Sequence, residues 1–269
     1  QDANVTVNGT LALSGANTMN VVYSDKSATL AGVVGGTGSI TKTGPGTLTL
    51  SNNGNTFSGG VTVSAGTFAV SAGTGAGAKS LFGTGSVTVN TGATVRVGAG
   101  STSNAMSYAN NFNLNGGTLH AQDAVVTYGG TITLGANSTV TVQYSGKNAI
   151  FANPVGGAGG LTKTGDGSLI LAANNTYAGP TSIAGGAGYL YVGDGGTTGS
   201  LGTDTGPVSV ASGARLVFNR SDSVVLANEV TGAGGLANFG TGTLTLTGNN
   251  TLTSWVTVRQ GTITLPTGG

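Results

Sequence analysis

Cysteine is absent from this chain of 269 residues, and histidine and tryptophan occur once each. Without cysteine there is neither a disulfide scaffold nor a thiolate metal site. A His-centred nucleophilic or zinc site would have to be built around His120 alone. Charge is scarce too: nine basic and eight acidic residues are dispersed along the chain, for a formal net charge of +1. Such a chain carries no basic stripe for a phosphate backbone, so nucleic acid is excluded as a partner. No apolar run approaches the roughly eighteen residues of a membrane-crossing helix. Ordinary helices are disfavoured as well, because the 52 glycines each cost about 1 kcal/mol in a helix relative to alanine. Disorder fits poorly, since the 38% hydrophobic residues are spread in short patches that can be buried.

What the chain does contain is alternation and punctuation. Triplets such as Val61-Thr62-Val63, Val87-Thr88-Val89, Leu48-Thr49-Leu50 and Val256-Thr257-Val258 send apolar groups to one face and a small hydroxyl residue to the other. Strands this short cannot fold alone. They are separated by corners such as Gly44-Pro45-Gly46, Gly165-Asp166-Gly167 and Gly240-Thr241-Gly242, where glycine accepts a positive φ without penalty.

The punctuation repeats. A block beginning at Gly36 (GTGSITKTGPGTLTL) returns at Gly157 (GAGGLTKTGDGSLIL), 121 positions on, and again at Gly232 (GAGGLANFGTGTLTL), a further 75 positions on. A second block, Gly85 to Val97, returns at Gly206 to Phe218 with the same 121-residue displacement. The repeat regions cover about 36–68, 157–190 and 232–265, with related strand blocks at 85–97 and 206–218. Unequal spacing suits a solenoid, in which each turn touches only its neighbours, better than a closed propeller or barrel. The expected fold is all-β, a parallel β-helix running as one unit over residues 1–269. Coils of roughly 20 to 25 residues stacked about 4.8 Å apart would give roughly 11–13 coils and a rod on the order of 50 to 65 Å long. The pairs Asn52-Asn53, Asn174-Asn175 and Asn249-Asn250 are expected at corners, where Asn tolerates the left-handed conformation and can hydrogen-bond to its equivalents in adjacent coils.

At these residues the chain resembles the passenger domains of bacterial autotransporters and their passenger-associated repeat (also described as an autotransporter-associated β-strand repeat). The resemblance runs through Gly36, Gly38, Ile40, Thr41, Lys42, Gly44, Gly46, Thr47, Leu48 and Leu50. It continues through Asn55, Thr56, Phe57, Gly59, Gly60, Val63, Gly66 and Thr67. The second copy keeps Gly157, Leu161, Lys163, Gly165, Gly167, Asn175, Thr176 and Tyr177, and the third has Asn238 in place of the Lys and Leu252 in place of the aromatic. The resemblance implies a right-handed β-helix, secretion through the outer membrane by a C-terminal β-barrel, and display at or release from the cell surface. No tilted ten-residue barrel strands occur in these residues, so membrane contact is expected only through a barrel absent from this chain. An exported chain beginning at Gln1 would already have lost its leader.

Candidate sites are few. His120 is expected at an outward polar position in a strand. The acids are Asp2, Asp25, Asp123, Asp166, Asp194, Asp204, Asp222 and Glu229; stacking of coils could bring those between 194 and 229 into a carboxylate pair or a calcium site, with turn chemistry as the simpler account. In Gly73 to Ser80 the residues Gly73, Lys79 and Ser80 fall at phosphate-loop intervals, but Ala78 stands where that motif needs glycine, which makes the stretch a corner. Lys42 and Lys163 are expected to be solvated corner charges that deter edge pairing. Tyr189 and Tyr191 should share a face opposite Leu190 and Val192, and Trp255 alternates with an inward Val256. These three aromatics are the candidate surface contacts, with packing beneath a loop as the plainer alternative.

The expectation is therefore a non-catalytic extracellular structural or adhesive rod without cofactor or metal. Its partners would be a cell-surface, matrix or glycan ligand, or other copies of itself. Two alternatives stand beside it. One is a filament subunit stacking end to end through uncapped β-helix edges; the other is a β-helical polysaccharide-degrading enzyme, which four arginines and scattered aspartates hardly supply.

Overall fold

The computed structural model describes residues 3–71, 77–98 and 105–265. Among them there are no helices, and thirty-three short strands follow one another from Val5–Val7 to Thr262–Thr264. Strand pairing is parallel throughout, apart from an isolated antiparallel bridge between Asn90 and Gly116. Away from the sheet edges each strand pairs with one strand from the coil before it and one from the coil after it, so the chain winds as a β-solenoid. Its largest sheet holds twelve strands, one per turn, which at about 4.8 Å per rung gives a stack of about 55 Å.

The coils have three sides. The twelve-stranded sheet, running from Val5–Val7 to Thr251–Leu252, forms the first. On the second lie the pair Leu11–Leu13 and Val34–Gly36 and then the nine-stranded sheet from Gly77–Ala78 to Val256–Val258. The seven-stranded sheet and, further along, the strands Val224–Leu226, Thr243–Leu246 and Thr262–Thr264 form the third.

Alternation puts one set of side chains inside. On the first side the inward column reads Leu48, Phe68, Val95, Leu119 and Val140 in register, all buried. Outward, Thr47, Thr67, Thr94, Thr118 and Thr139 stack in the same register. Deeper inside, Phe68, Phe82, Phe112, Tyr128 and Phe151 form a continuous run of ring contacts with centroids 5.3 to 5.9 Å apart, each contact adding about 1 kcal/mol beyond its buried area.

The three repeat copies do not lie on one side. Each is a strand, a glycine corner, a second strand, and a segment that crosses the remaining side, a loop in the first two copies and the two-residue strand Thr251–Leu252 in the third. The first copy turns from the third side (Ser39–Thr43) to the first (Thr47–Leu50), the second from the first side (Leu161–Thr164) to the second (Ser168–Leu171), and the third from the second side (Gly235–Asn238) to the third (Thr243–Leu246). The 121- and 75-residue displacements thus correspond to about five and one-third and about three and one-third coils. What the repeat specifies is a corner, and the three-sided coil offers three equivalent places for it.

Two features inside the repeat correct the sequence expectations. Lys42 and Lys163 are fully buried. Lys42 stands in an inward column between Met19 and Val63, and Lys163 between Val140 and Ile183. The Lys42 ammonium donates to the carbonyls of Thr43, Gly44 and Ala65 at 2.7 to 3.1 Å, and Lys163 donates to those of Thr164 and Gly165 at 2.8 Å. In the third copy Asn238 does the same, donating to the carbonyls of Gly242 and Thr262 at 2.9 Å. The position caps the inner surface of a tight corner whose carbonyls point inward, and a buried donor there satisfies acceptors that would otherwise be orphaned.

The asparagines differ as well. No described residue other than glycine has a positive φ, so none of them is left-handed, and the pairs bond backbone and not one another. Asn52 donates to the Ala31 carbonyl, and Asn53 and Asn174 accept from the amides of Ser80 and Gly199. The position that recurs in all three copies is that of Asn55, Asn175 and Asn250, whose side-chain oxygens accept from the amides of Val34, Val155 and Val230 in the preceding coil at 2.8 to 2.9 Å. Those three valines begin short strands on the second, third and first sides respectively, so one latch is used on every side. A glycine of positive φ closes or directly follows each strand, Gly36, Gly157 or Gly232, with φ of 97°, 108° and 106°. A Cβ there would lie within 2.3 Å of a carbonyl oxygen in the coil below.

At the far end Val256 sits in register above the buried Leu236, as an inward residue should. It is nevertheless 53% exposed, because no described coil lies over it. Leu246, Leu252, Val258, Ile263 and Leu265 line the same apolar hollow.

Candidate functional site

Most candidates resolve into local structure. His120 lies on an outward strand position beside Arg96, and its Nε2 is 2.9 Å from the Gln143 amide oxygen. Burial pushes its pKa down, against a smaller upward pull from that hydrogen bond. The acids between 194 and 229 disperse: Asp194 and Asp204 accept from the amides of Gly196 and Gly206 in their own turns, Asp222 pairs with Arg220 at 2.7 Å, and Glu229 accepts from the Thr251 hydroxyl. Among the described residues no three His, Cys, Asp or Glu side chains converge as metal ligands would. Asp2 and Gly73 lie outside the described residues.

Tyr189, Tyr191 and Trp255 do converge. The strand Tyr189–Val192 buries Leu190 and Val192 and turns both tyrosines outward. Their ring centroids are 5.9 Å apart. Next to Tyr189 in register is Arg215, next to Arg215 is Gly235, and the rung beyond carries Trp255. Gly235 has no side chain to hold the column apart, and a Cβ there would stand 2.7 to 2.8 Å from the indole. The indole therefore folds down over the glycine onto the guanidinium. Arg215 Cζ lies 4.0 Å from the Trp255 ring centre and 4.8 Å from that of Tyr189, a cation held between two aromatic faces.

Two further residues complete the patch. Phe239 packs edge-on against Tyr191 at 6.2 Å, and Arg259 lies over Phe239 at 5.0 Å. The outward residues Val217 and Ala237, between Tyr191 and Thr257 in register, are fully buried beneath these rings. Burial raises the Tyr191 pKa, while the positive charges of Arg259 and Arg215 draw it down. The result is a shallow hollow of about 400 Å³ on the outside of the rod, floored by aromatic rings and Thr257 and edged by Arg215 and Arg259. Trp255 is 40% exposed beside it. Neither guanidinium has an ion pair or hydrogen bond among the described residues, and no carboxylate lines the hollow.

Arg215, Phe239 and Arg259 were not singled out from the sequence, yet a signal existed. Where the block Gly85–Val97 recurs at Gly206–Phe218, outward Thr94 is replaced by Arg215 and outward Arg96 by Val217. The outward charge thus moves from the third position of the strand to the first, and the vacated position becomes aliphatic.

Comparison with known proteins fits this architecture. The model of the passenger-associated-transport-repeat matches residues 40–70, 161–187 and 239–265, so the chain carries three copies of that repeat. Over 105 residues, 36% of this chain, it is 40% identical to the adhesin BmaC autotransporter of Brucella suis biovar 1 (strain 1330). The aligned part spans 3% of that protein's length. No solved structure matches the chain.

Proposed function

We propose that this chain is a non-catalytic adhesive rod, part of the passenger region of an autotransporter-like protein displayed outside the cell or at the outer-membrane surface. Its faces are ladders of Thr, Ser and Asn hydroxyls and amides carried on a stiff hydrogen-bonded stack. Against that background the patch around Arg215 is the chemical exception, and it is the observation that carries the reading. Clustered half-buried aromatics, with Trp255 exposed beside them, and arginines without an ion pair are the composition of binding hot spots. The repeat match and the 40% identity to an adhesin support the surface role. Among the described residues Asp25 and Asp222 are held in ion pairs, Asp166, Asp194 and Asp204 accept from backbone amides and Glu229 accepts from the Thr251 hydroxyl, structural roles that favour the non-catalytic reading over a glycosidic-bond-cleaving pair.

The test is adhesion itself. Beads coated with the chain should attach to cultured host-cell monolayers and to extracellular matrix, and beads carrying Tyr191→Ala with Arg215→Ala should attach several-fold less. Equal attachment by both, or steady release of reducing ends from a polysaccharide panel, would refute the reading.

A further inference from the structure

Resting on the adhesive reading, we infer that the hollow edged by Arg215 and Arg259 binds acidic glycans, sugars bearing carboxylate or sulfate groups. Three features select this chemistry. Tyr189, Tyr191 and Phe239 form the floor, with a guanidinium over one face of Tyr189 and one of Phe239, and an aromatic floor of this kind suits the apolar C–H side of a sugar ring. Room of about 400 Å³ is at the small end of ligand sites and open on one side, which suits one or two sugar rings within a longer chain. Arg215 and Arg259 each present an unpaired planar fork of donors, the geometry that grips a carboxylate or sulfate with two parallel hydrogen bonds. Stacking on Trp255 and Tyr189 pre-orders the Arg215 fork, so little freedom is lost when an anion arrives.

The backbone argues against a peptide as occupant. Three of the strands under the hollow, Tyr189–Val192, Arg215–Phe218 and Gly235–Asn238, are paired on both edges; only Val256–Val258, at the rim of the nine-stranded sheet, keeps an open edge, and a strand added there would lie along the end of the stack and not across the floor of the hollow. Across that floor, recognition falls to side chains. Two cations are also too few for the dense phosphate ladder of a nucleic acid.

Trp255 is the only tryptophan, so its fluorescence reports on this patch alone. The chain would be titrated with an oligogalacturonate, a chondroitin sulfate oligosaccharide, a neutral dextran oligosaccharide and poly-glutamate, with calorimetry in parallel. Either or both acidic glycans should change the emission, bind at least about tenfold more tightly than dextran or poly-glutamate, and weaken with added salt. Galacturonate alone would identify the carboxylate as the recognised group; chondroitin sulfate alone, the sulfate. Arg215→Gln with Arg259→Gln should weaken the binding about 10- to 100-fold, the loss of charge-assisted hydrogen bonds. Arg215→Lys should fall between, keeping charge but losing the fork. Unchanged melting temperatures would show that the variants fold. Binding of dextran or poly-glutamate as tight as that of the acidic glycans, or double-variant binding equal to the parent's, would overturn the assignment. So would no binding of either acidic glycan, and if bead attachment still depended on the patch, the adhesive reading would survive that failure.

Discussion

Lys42 and Lys163 sit among valines and isoleucine, where an ammonium loses its water. Carbonyl oxygens replace part of that hydration, and burial still draws each amine down to about 8 from its ordinary 10.5, with Asp166 pulling Lys163 partly back up. Between these two values the unfolded chain holds more protons than the folded one, so stability must rise with pH across that interval and stay level below it. Burial pushes the phenols of Tyr108, Tyr128 and Tyr177 the other way, upward. Above pH of about 10 the unfolded tyrosines ionise while the folded ones do not, and stability must fall. Melting temperature should therefore climb from pH 8 to about 10 and then decline; a level or falling line from 8 to 10 would contradict the buried, cationic lysines. The repeat asparagine makes a second residue-scale prediction. Asn175→Ala orphans the Val155 amide and the Ser200 carbonyl, and should cost about 2 to 3 kcal/mol in urea unfolding. A loss below about 1 kcal/mol would mean that the latch is dispensable. That Lys42 was buried could not be read from its type, because lysine in a turn-rich segment is ordinarily solvated. The alternation did contain the answer: in Ile40-Thr41-Lys42 the lysine occupies the same phase as the inward isoleucine, and Asn238 replaces it by a residue that shares only its capacity to donate.

At the scale of the element, the glycine corner with its buried donor is the transferable unit. It works on three sides because it answers only to its own two strands and the coil next to it. The five residues Lys163 to Gly167 should thus be exchangeable for the sequence of Asn238 to Gly242, although the two corners lie on different sides. The graft should fold cooperatively, judged by circular dichroism and a single melting transition, and should show only part of the alkaline rise. Failure to fold, beside a correctly folding control with the native corner, would mean that the corner is tied to its side. Strands and corners were readable from the sequence because period-two alternation and Gly-x-Gly punctuation are local signals. The rotation of the three copies was not, since a 121-residue displacement fits whole coils of about 24 residues as well as fractional ones of about 23.

For the whole molecule, the fold and the patch depend on the same regularity. Arg215, Gly235 and Trp255 meet only because successive coils stack in register, so residues forty positions apart in sequence become neighbours two rungs apart. The tyrosines could be placed on one face from Tyr189-Leu190-Tyr191-Val192 alone. Their arginine partners needed the register, which sequence spacing leaves undetermined by a residue or two at each loop. That register is the central claim, and the lack of cysteine makes it directly measurable by paired cysteine substitution. Three outward pairs sample the second half of the stack: Thr141 with Thr164, Ser182 with Ser209, and Thr245 with Thr264, whose hydroxyl oxygens lie 2.8 to 2.9 Å apart. Each, replaced by two cysteines and oxidised, should close to a disulfide with the melting temperature preserved or raised, since adjacent rungs fall within the roughly 4.4 to 6.8 Å that a disulfide spans. A mismatched pair two rungs apart, Thr162 with Ser209, should stay reduced. Closure of the mismatched pair, or failure of the matched ones, would contradict a single stack of coils.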